Sequence, residues 1–301
     1  MSATGSKILF ISDGVGSVEL LETFGSDLTV VNAARVSFAK ESTEMCIADE
    51  KLINYLAKND HITPFFHPQI RFRIKMPIFV AREWFRHQIG LARNEVSRRY
   101  VDFEPECWSP ADGLRARDPK LKQGSKDCLI EDNALWTERI NAYTRDTIKF
   151  YKDLLAAQVA PELARTVLPQ SMYTEFIETG SLSAYARICG LRLDPHAQKE
   201  IREYAALVST LMERAFPVSW KALTNRWTGE HAVPLRVLSQ VKLETEPPTP
   251  SASVKTNSLT EEHAVPENEI VQSRQEQIMT IDPVTLKTTQ DEVPLYTQWG
   301  C

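Results

Sequence analysis

Between Arg71 and Arg99 the chain carries seven arginines and Lys75. Arg82, Arg86 and His87 stand among Phe79, Trp84 and Phe85, a stretch whose aromatic content predicts partial burial. Charges held against buried aromatic rings need partners. Charge counting alone leaves two readings equally open, a solvated basic face or a site for an anion. The aromatic setting favours the anion, and the planar fork of arginine suits a phosphate because it donates two hydrogen bonds at once. No common nucleotide motif accompanies these residues. There is no G-x-x-x-x-G-K-[ST] loop, no G-x-G-x-x-G after a strand and no G-x-S-x-G elbow. His61 and His67 lack neighbouring ligands, so no metal site is expected. None of Cys46, Cys107, Cys128, Cys189 and Cys301 has an obvious base beside it or CxxC spacing, which argues against a cysteine nucleophile, a structural zinc and a disulfide framework.

The elements that must position these residues are readable in part. Residues 69–76 alternate Ile70, Phe72, Ile74 and Met76 with Arg71, Arg73 and Lys75, a strand with one buried and one basic face. Pro77 then suits the first turn of a helix, on which Ile78, Ala81 and Phe85 fall at core spacing. Residues 8–12 read as a short strand ending at Asp13-Gly14, and 28–31 as a second β-like segment. Residues 44–58 read as a helix with Met45, Leu52, Ile53 and Leu56 on one face. Residues 104–132, with three prolines and two glycines, read as loop. A long amphipathic helix is expected over 134–159, with Trp136, Ile140, Tyr143, Phe150 and Leu154 along one stripe. A short helix is expected over 161–168, stopped by Pro169. Asp194-Pro195 predicts a helix start, continuing through Ile201, Tyr204, Val208 and Leu211 to about Phe216.

The chain as a whole has 301 residues, 43% of them hydrophobic and 25% charged, enough for one large domain or two small ones and for a substantial core. A formal net charge of −5 argues against a general nucleic-acid partner. No apolar run is long enough to span a bilayer, and the polar start followed by a short apolar stretch is not secretory, so no membrane partner and a cytoplasmic location are expected. From Thr245 the composition turns to Thr, Ser, Pro, Glu and Gln without apolar periodicity. Residues 245–301 therefore read as a low-complexity, mostly disordered tail behind a catalytic domain at 1–244. Thr228-Gly229-Glu230-His231-Ala232-Val233-Pro234 is echoed by Thr260-Glu261-Glu262-His263-Ala264-Val265-Pro266, a repeat too short to imply a repeat fold.

Several blocks resemble one family, the flavin-dependent thymidylate synthases. They are Asn32-Ala33-Ala34-Arg35-Val36-Ser37-Phe38, His61-Ile62-Thr63-Pro64-Phe65-Phe66-His67, and Pro77 through Arg86-His87-Gln88. They continue with Asn94-Glu95-Val96-Ser97-Arg98-Arg99-Tyr100, Ala164-Arg165-Thr166-Val167-Leu168-Pro169, and Leu191-Arg192-Leu193-Asp194-Pro195-His196-Ala197-Gln198. The resemblance implies an α/β (α+β) fold with a central, mostly antiparallel sheet and long helices, assembled as a homotetramer with active sites shared between subunits. It implies reductive methylation of dUMP to dTMP, with FAD as cofactor, NADPH as reductant and 5,10-methylenetetrahydrofolate as carbon donor. By position, it places Glu83, Trp84, Phe85, Arg86, Glu95, Val96, Ser97, Arg98, Arg99 and Arg165 at dUMP, and Arg192 against the pyrimidine. A fixed guanidinium there stabilises negative charge as C5 becomes nucleophilic. It places Thr63, Arg86, His87, Gln88, Glu95, Ser181, Ser183 and Arg187 at FAD.

Two departures matter. The family pattern is Arg-His-Arg, seven residues, then Ser. Here Gln88 replaces the second arginine, and eight residues precede Ser97. Where the family commonly has Asn-x-Arg, this chain has Ser181-Leu182-Ser183, with Arg187 a turn later. Arg187 is expected to supply the missing charge. These changes leave room for a hydroxymethylase or a dCMP-acting relative, and a non-catalytic nucleotide- or nucleic-acid-binding homologue is the alternative from another class.

Overall fold

The structure, a computed structural model, describes residues 7–101, 103–120 and 124–225. The tail from Thr245 and both copies of the short repeat lie outside the described residues. A five-stranded antiparallel sheet runs β1 (Lys7–Phe10), β2 (Ser17–Phe24), β3 (Gln69–Pro77), β7 (Tyr173–Ser181), β4 (Leu91–Glu95) in spatial order. The alternation expected in β3 is present. Ile70, Phe72, Ile74 and Met76 are fully buried, at about 1.5–3 kcal/mol each for the large side chains. On the opposite face Arg71 pairs with Glu22 (3.0 Å), and Arg73 with Glu19 (3.1 Å) and Glu175 (3.6 Å) on the flanking strands. These arginines belong to exposed cross-strand pairs, so this part of the basic run is structural.

The buried face is covered by α3 (Ile78–Trp84), α6 (Leu182–Arg192), α7 (Lys199–Ala215) and α8 (Pro217–Thr224), with α1 (Asp27–Arg35) and α2 (Ile47–Lys58) beside them. The α+β class with an antiparallel centre is thus as expected, and the ends of α2 and α7 fall where the periodicity put them, although α2 starts only at Ile47 and leaves Met45 outside it, 37% exposed. Four local expectations are corrected. Residues 28–31 are helical: Asp27 opens α1 while its carboxylate takes the amides of Val218 and Ser219 (3.0 and 2.9 Å). Val30 and Val31 are fully buried, so tertiary packing overrides their β preference. Pro77 ends β3 as the N-cap of α3 rather than sitting inside the helix. Asp194 binds the amide of His196 (2.8 Å) in a local turn, and α7 starts only at Lys199. The stretch 104–132 contains a hairpin, β5 (Arg115–Arg117) with β6 (Ser125–Leu129).

The long helix is real as α4 (Asn133–Ala156), followed by α5 (Pro161–Ala164) and a 3₁₀ turn, Arg165–Val167. Its apolar stripe, however, is not packed within the chain. Only Thr147 and Tyr151 are buried, while Trp136, Phe150 and Tyr143 are 45, 52 and 66% exposed. The sheet's inner face is already filled by other helices, so α4 stands outside the core.

Candidate functional site

The residues 83–95 are placed by a strand–helix–turn–strand sequence. The start of α3 is tied to the segment before β7, with Ile78 N–H to Met172 O (2.9 Å) and Phe79 N–H to Gln170 O (3.0 Å). The helix buries Val80, Ala81 and Trp84. Trp84 Nε1 donates to the buried Glu178 carboxylate (3.2 Å), which also pairs with Arg93. That buried ion pair fixes β4 against β7, and removing one partner costs about 3–5 kcal/mol. Arg86-His87-Gln88 forms the turn leaving α3, with His87 N–H bonded to Trp84 O (3.1 Å). Gly90 then adopts φ +76°, which returns the chain into β4, where Leu91 faces Gly180.

Arg192, at the end of α6, reaches back to this turn. Its Nε donates to His87 Nε2 (2.9 Å), its Nη1 pairs with Glu83, and its Nη2 donates to Glu83 O (3.3 Å). The carboxylate that meets Arg192 is therefore Glu83 across the fold, not the nearby Asp194. His87 is 7% exposed, and its pKa is pushed down to about 4, first by burial and then by Arg192, Arg187, Arg93 and Arg86. A neutral imidazole whose Nε2 accepts carries its proton on Nδ1. Arg192 is thus held at three points in a fixed orientation. In front of it lies a cavity of about 810 Å³, bounded by Glu83, Arg86 and Arg192 on one side.

Of the residues expected at the flavin, those on the 63–66 turn, the 86–88 turn and α6 lie on neighbouring elements, whereas Glu95 does not join them. The 3₁₀ turn Thr63–Phe66 leads to Pro68, whose carbonyl accepts Leu182 N–H (3.1 Å) at the start of α6. A side chain at Gly90 would come within 3.3 Å of Ala184 Cβ and 3.5 Å of Ser181 Oγ. Gly90, in the turn after Gln88, therefore packs against the α6 N-terminus. Ser181 is buried and caps α6, accepting Ala184 N–H (3.1 Å). Ser183 and Arg187 follow one turn apart on α6, and Arg187 is exposed and without a counter-ion among the described residues. Thr63, Phe66 and Ile89 are also exposed. An unpaired guanidinium beside apolar and aromatic surface suits a ligand combining a flat ring system with phosphates.

The remaining candidates lie elsewhere. Glu95 accepts Thr174 Oγ1 (2.6 Å), and Val96 N–H continues the ladder to Glu175 O (2.9 Å). Ser97 Oγ accepts Arg99 N–H (3.3 Å). Arg98 is 6% exposed and donates to Phe103 O with its guanidinium over the Phe103 ring. Arg99 pairs with Glu162 (3.5 Å), and the exposed Arg165 donates to the Glu162 carbonyl (3.4 Å). The segment 95–99 thus meets the turn carrying Arg165, but none of these residues lines the cavity before Arg192. From Thr174, beside Glu95, to Glu178, beside Trp84, β7 rises about 13 Å. The chain divides its candidate residues into a Glu83–His87–Arg192 half and a Ser97–Arg99–Arg165 half. Exposed Val96, Tyr100, Phe103 and Leu163 surround the second half. Sequence reasoning missed Glu178, whose alternating strand neighbours Phe176 and Gly180 were the available signal, and missed the cavity's Arg115 and Arg202. Among the described residues no group of three or more His, Cys, Asp or Glu is placed to hold a metal ion, and no helix is long and apolar enough to cross a membrane.

Comparison with known proteins places this geometry. The Thy1 family, described as thymidylate synthase complementing protein, matches residues 19–218. The flavin-dependent thymidylate synthase of Thermus thermophilus is 36% identical over 228 residues, covering 76% of this chain and 81% of the relative. That of Kosmotoga olearia is 40% identical over 219 residues, covering 71% and 93%. The crystal structure of the UMP/dUMP methylase PolB from Streptomyces cacaoi with 5-Br dUMP superposes with a TM-score of 0.63 at 30% identity, covering 69% of this chain and 94% of the other.

Proposed function

The chain belongs to the flavin-dependent thymidylate synthases, and on that premise we propose how its residues divide the work of converting dUMP to dTMP. FAD, reduced by NADPH, supplies the reducing equivalents, and methylenetetrahydrofolate supplies the carbon. The chain's own contribution is to bind, orient and polarise. The observation that carries the reading is the three-point anchoring of Arg192 by Glu83 and neutral His87 at the mouth of the cavity. A guanidinium held there presents fixed positive charge to the pyrimidine as C5 becomes nucleophilic, and it need not reorganise during the reaction. Neutral His87 accepts from Arg192 and so orients it without adding charge.

Arg99, Ser97 and Arg165 take the 5′-phosphate. Because they lie apart from Arg192 in one chain, each dUMP is bound between copies: pyrimidine contacts come from one subunit and phosphate contacts from another. The exposed stripe of α4 and the apolar residues around Arg165 support a homotetramer, since faces of this kind mark protein contacts. Thr63, Gln88, Ser183 and Arg187 hold FAD, with Arg187 carrying the charge that Ser181-Leu182-Ser183 lacks beside the family's Asn-x-Arg.

The test is a spectrum followed by a product assay. The purified protein, loaded with FAD, is expected to show a flavin spectrum bleached by NADPH. It is then expected to convert dUMP with methylenetetrahydrofolate into a 5-methyl product identified by mass spectrometry. Parallel incubations with UMP and dCMP separate the related activities. A hydroxymethyl product, turnover of dCMP alone, or a protein that cannot be loaded with flavin would overturn the reading.

A further inference from the structure

The cavity in front of Arg192 has a second basic wall. Besides Glu83 and Arg192 it is bounded by the β5–β6 hairpin, through Arg115 and Ser125, and by the start of α7, through Lys199 and Arg202. Two of these cations are already neutralised: Arg115 pairs with Glu200 (2.8 Å), and Lys199 with Asp112 (2.7 Å). Arg202 differs. No carboxylate among the described residues pairs with it, and its Nε is buried without a hydrogen-bond partner. It lies one turn beyond the N-cap Gln198, on the flank of α7 that it shares with the buried Ala205 and Ala206. A partly buried guanidinium with an orphaned donor is costly unless an anion completes it. The 5′-phosphate of dUMP is assigned to Arg99 and Arg165, which do not line this cavity. Arg86, also expected at dUMP, lines the cavity with Arg192, and Arg202 remains open to a second anion.

Resting on the thymidylate synthase reading, we propose that Arg202 is a binding residue for an oxyanion of a co-substrate, a carboxylate or a phosphate, entering the cavity between α7 and the β5–β6 hairpin. Two co-substrates carry such groups: the folate through its glutamate carboxylates, and NADPH through its phosphates. Guanidinium geometry serves either, so the two half-reactions separate them.

The experiment compares the FAD-loaded full chain with its Arg202→Gln and Arg202→Lys variants. NADPH dependence is read from the rate of flavin bleaching. Folate dependence is read from product formation with mono- and polyglutamylated methylenetetrahydrofolate. Arg202→Gln is expected to raise the half-saturating concentration of one co-substrate roughly 10- to 150-fold, with dUMP affinity and assembly mass unchanged. Arg202→Lys is expected to restore part of the loss. A loss confined to folate identifies the carboxylate, and one confined to bleaching identifies the phosphate. Both constants staying within about twofold, a loss falling on dUMP instead, or an altered assembly mass would overturn the proposal. A wild-type protein that makes no 5-methyl product would instead overturn the functional reading, so the two failures are distinguishable.

Discussion

If one dUMP is bound by two copies, two inactive variants should repair each other. Arg192→Ala removes the fixed charge at the pyrimidine, a change expected to lower turnover about 10²- to 10³-fold. Joint replacement of Arg99 and Arg165 by Ala removes two charge-assisted phosphate contacts, each worth roughly 10- to 150-fold in affinity. Assayed at low dUMP, each variant alone is nearly silent. In a mixed assembly, a working site needs its pyrimidine half from a chain intact at Arg192 and its phosphate half from a chain intact at Arg99 and Arg165. With equal amounts and random assortment the probability is one half for each condition, so about a quarter of wild-type activity should return. The structural basis is that Glu83, His87 and Arg192 share a cavity which Ser97, Arg99 and Arg165 do not line. The variants are co-expressed with different tags, and assemblies carrying both tags are purified and assayed. If those mixed assemblies stay silent while keeping native mass, the site lies within one chain and the argument fails.

Three further outcomes are expected. Flavin-fluorescence titration should show Arg187→Gln weakening FAD roughly 10- to 150-fold, with Gln88→Arg in the same background recovering much of the loss; unchanged affinity in Arg187→Gln would remove that residue from the flavin site. His87 should remain neutral down to about pH 4, as read from side-chain nitrogen NMR. Its folded pKa lies below the unfolded value, so its contribution, at most about 3 kcal/mol, is present above pH 6.5 and lost as pH falls toward 4. Glu203 has the opposite sign, because burial pushes its carboxyl up to about 7. Its effect on stability is most favourable below about pH 4.5 and turns unfavourable, by up to about 3 kcal/mol, as pH rises through 7. Melting curves of Glu203→Gln should therefore match wild type at low pH and exceed it at pH 8; equal melting at both would show that the carboxylate is not strained.

What the sequence disclosed follows the physics of each segment. The alternation in β3 was legible because a half-buried strand must repeat with period two, and its register then dictated which arginines would meet Glu19 and Glu22. The helical nature of residues 28–31 was hidden because Thr29-Val30-Val31 prefers a strand locally. The deciding features, the Asp27 carboxylate on the Val218 and Ser219 amides and the packing of the valines, are tertiary. The stripe on α4 was legible as amphipathic, but its partner was not: periodicity shows that a face must be covered, never by what. The same limit applies to the site. The blocks around His87 and Arg192 were visible by type, yet the contact between them spans more than a hundred residues and bypasses Asp194 for Glu83. Arg115 and Arg202 carried no signal beyond ordinary helix- and hairpin-surface charge.

The departure at Gln88 can be judged on electrostatic grounds. His87 is buried and already feels Arg192, Arg187, Arg93 and Arg86, all of which oppose its protonation. Its acceptor Nε2 is what orients Arg192, so the site needs the imidazole neutral but gains nothing from more positive charge next to it. An arginine at position 88 would add a fifth cation on the exposed turn between α3 and β4, where Arg86 is already exposed. Glutamine there keeps hydrogen-bonding capacity without that repulsion. Arg187, one helical turn beyond Ser183, offers a guanidinium from α6, a rigid element, rather than from the turn. On the proposed flavin site, the one charge at 187 serves where the family pattern has two, at 88 and at 183. This is why the Arg187→Gln and Gln88→Arg changes should compensate rather than add: a cycle in which their effects on FAD affinity are independent would show that the two positions serve different ligands.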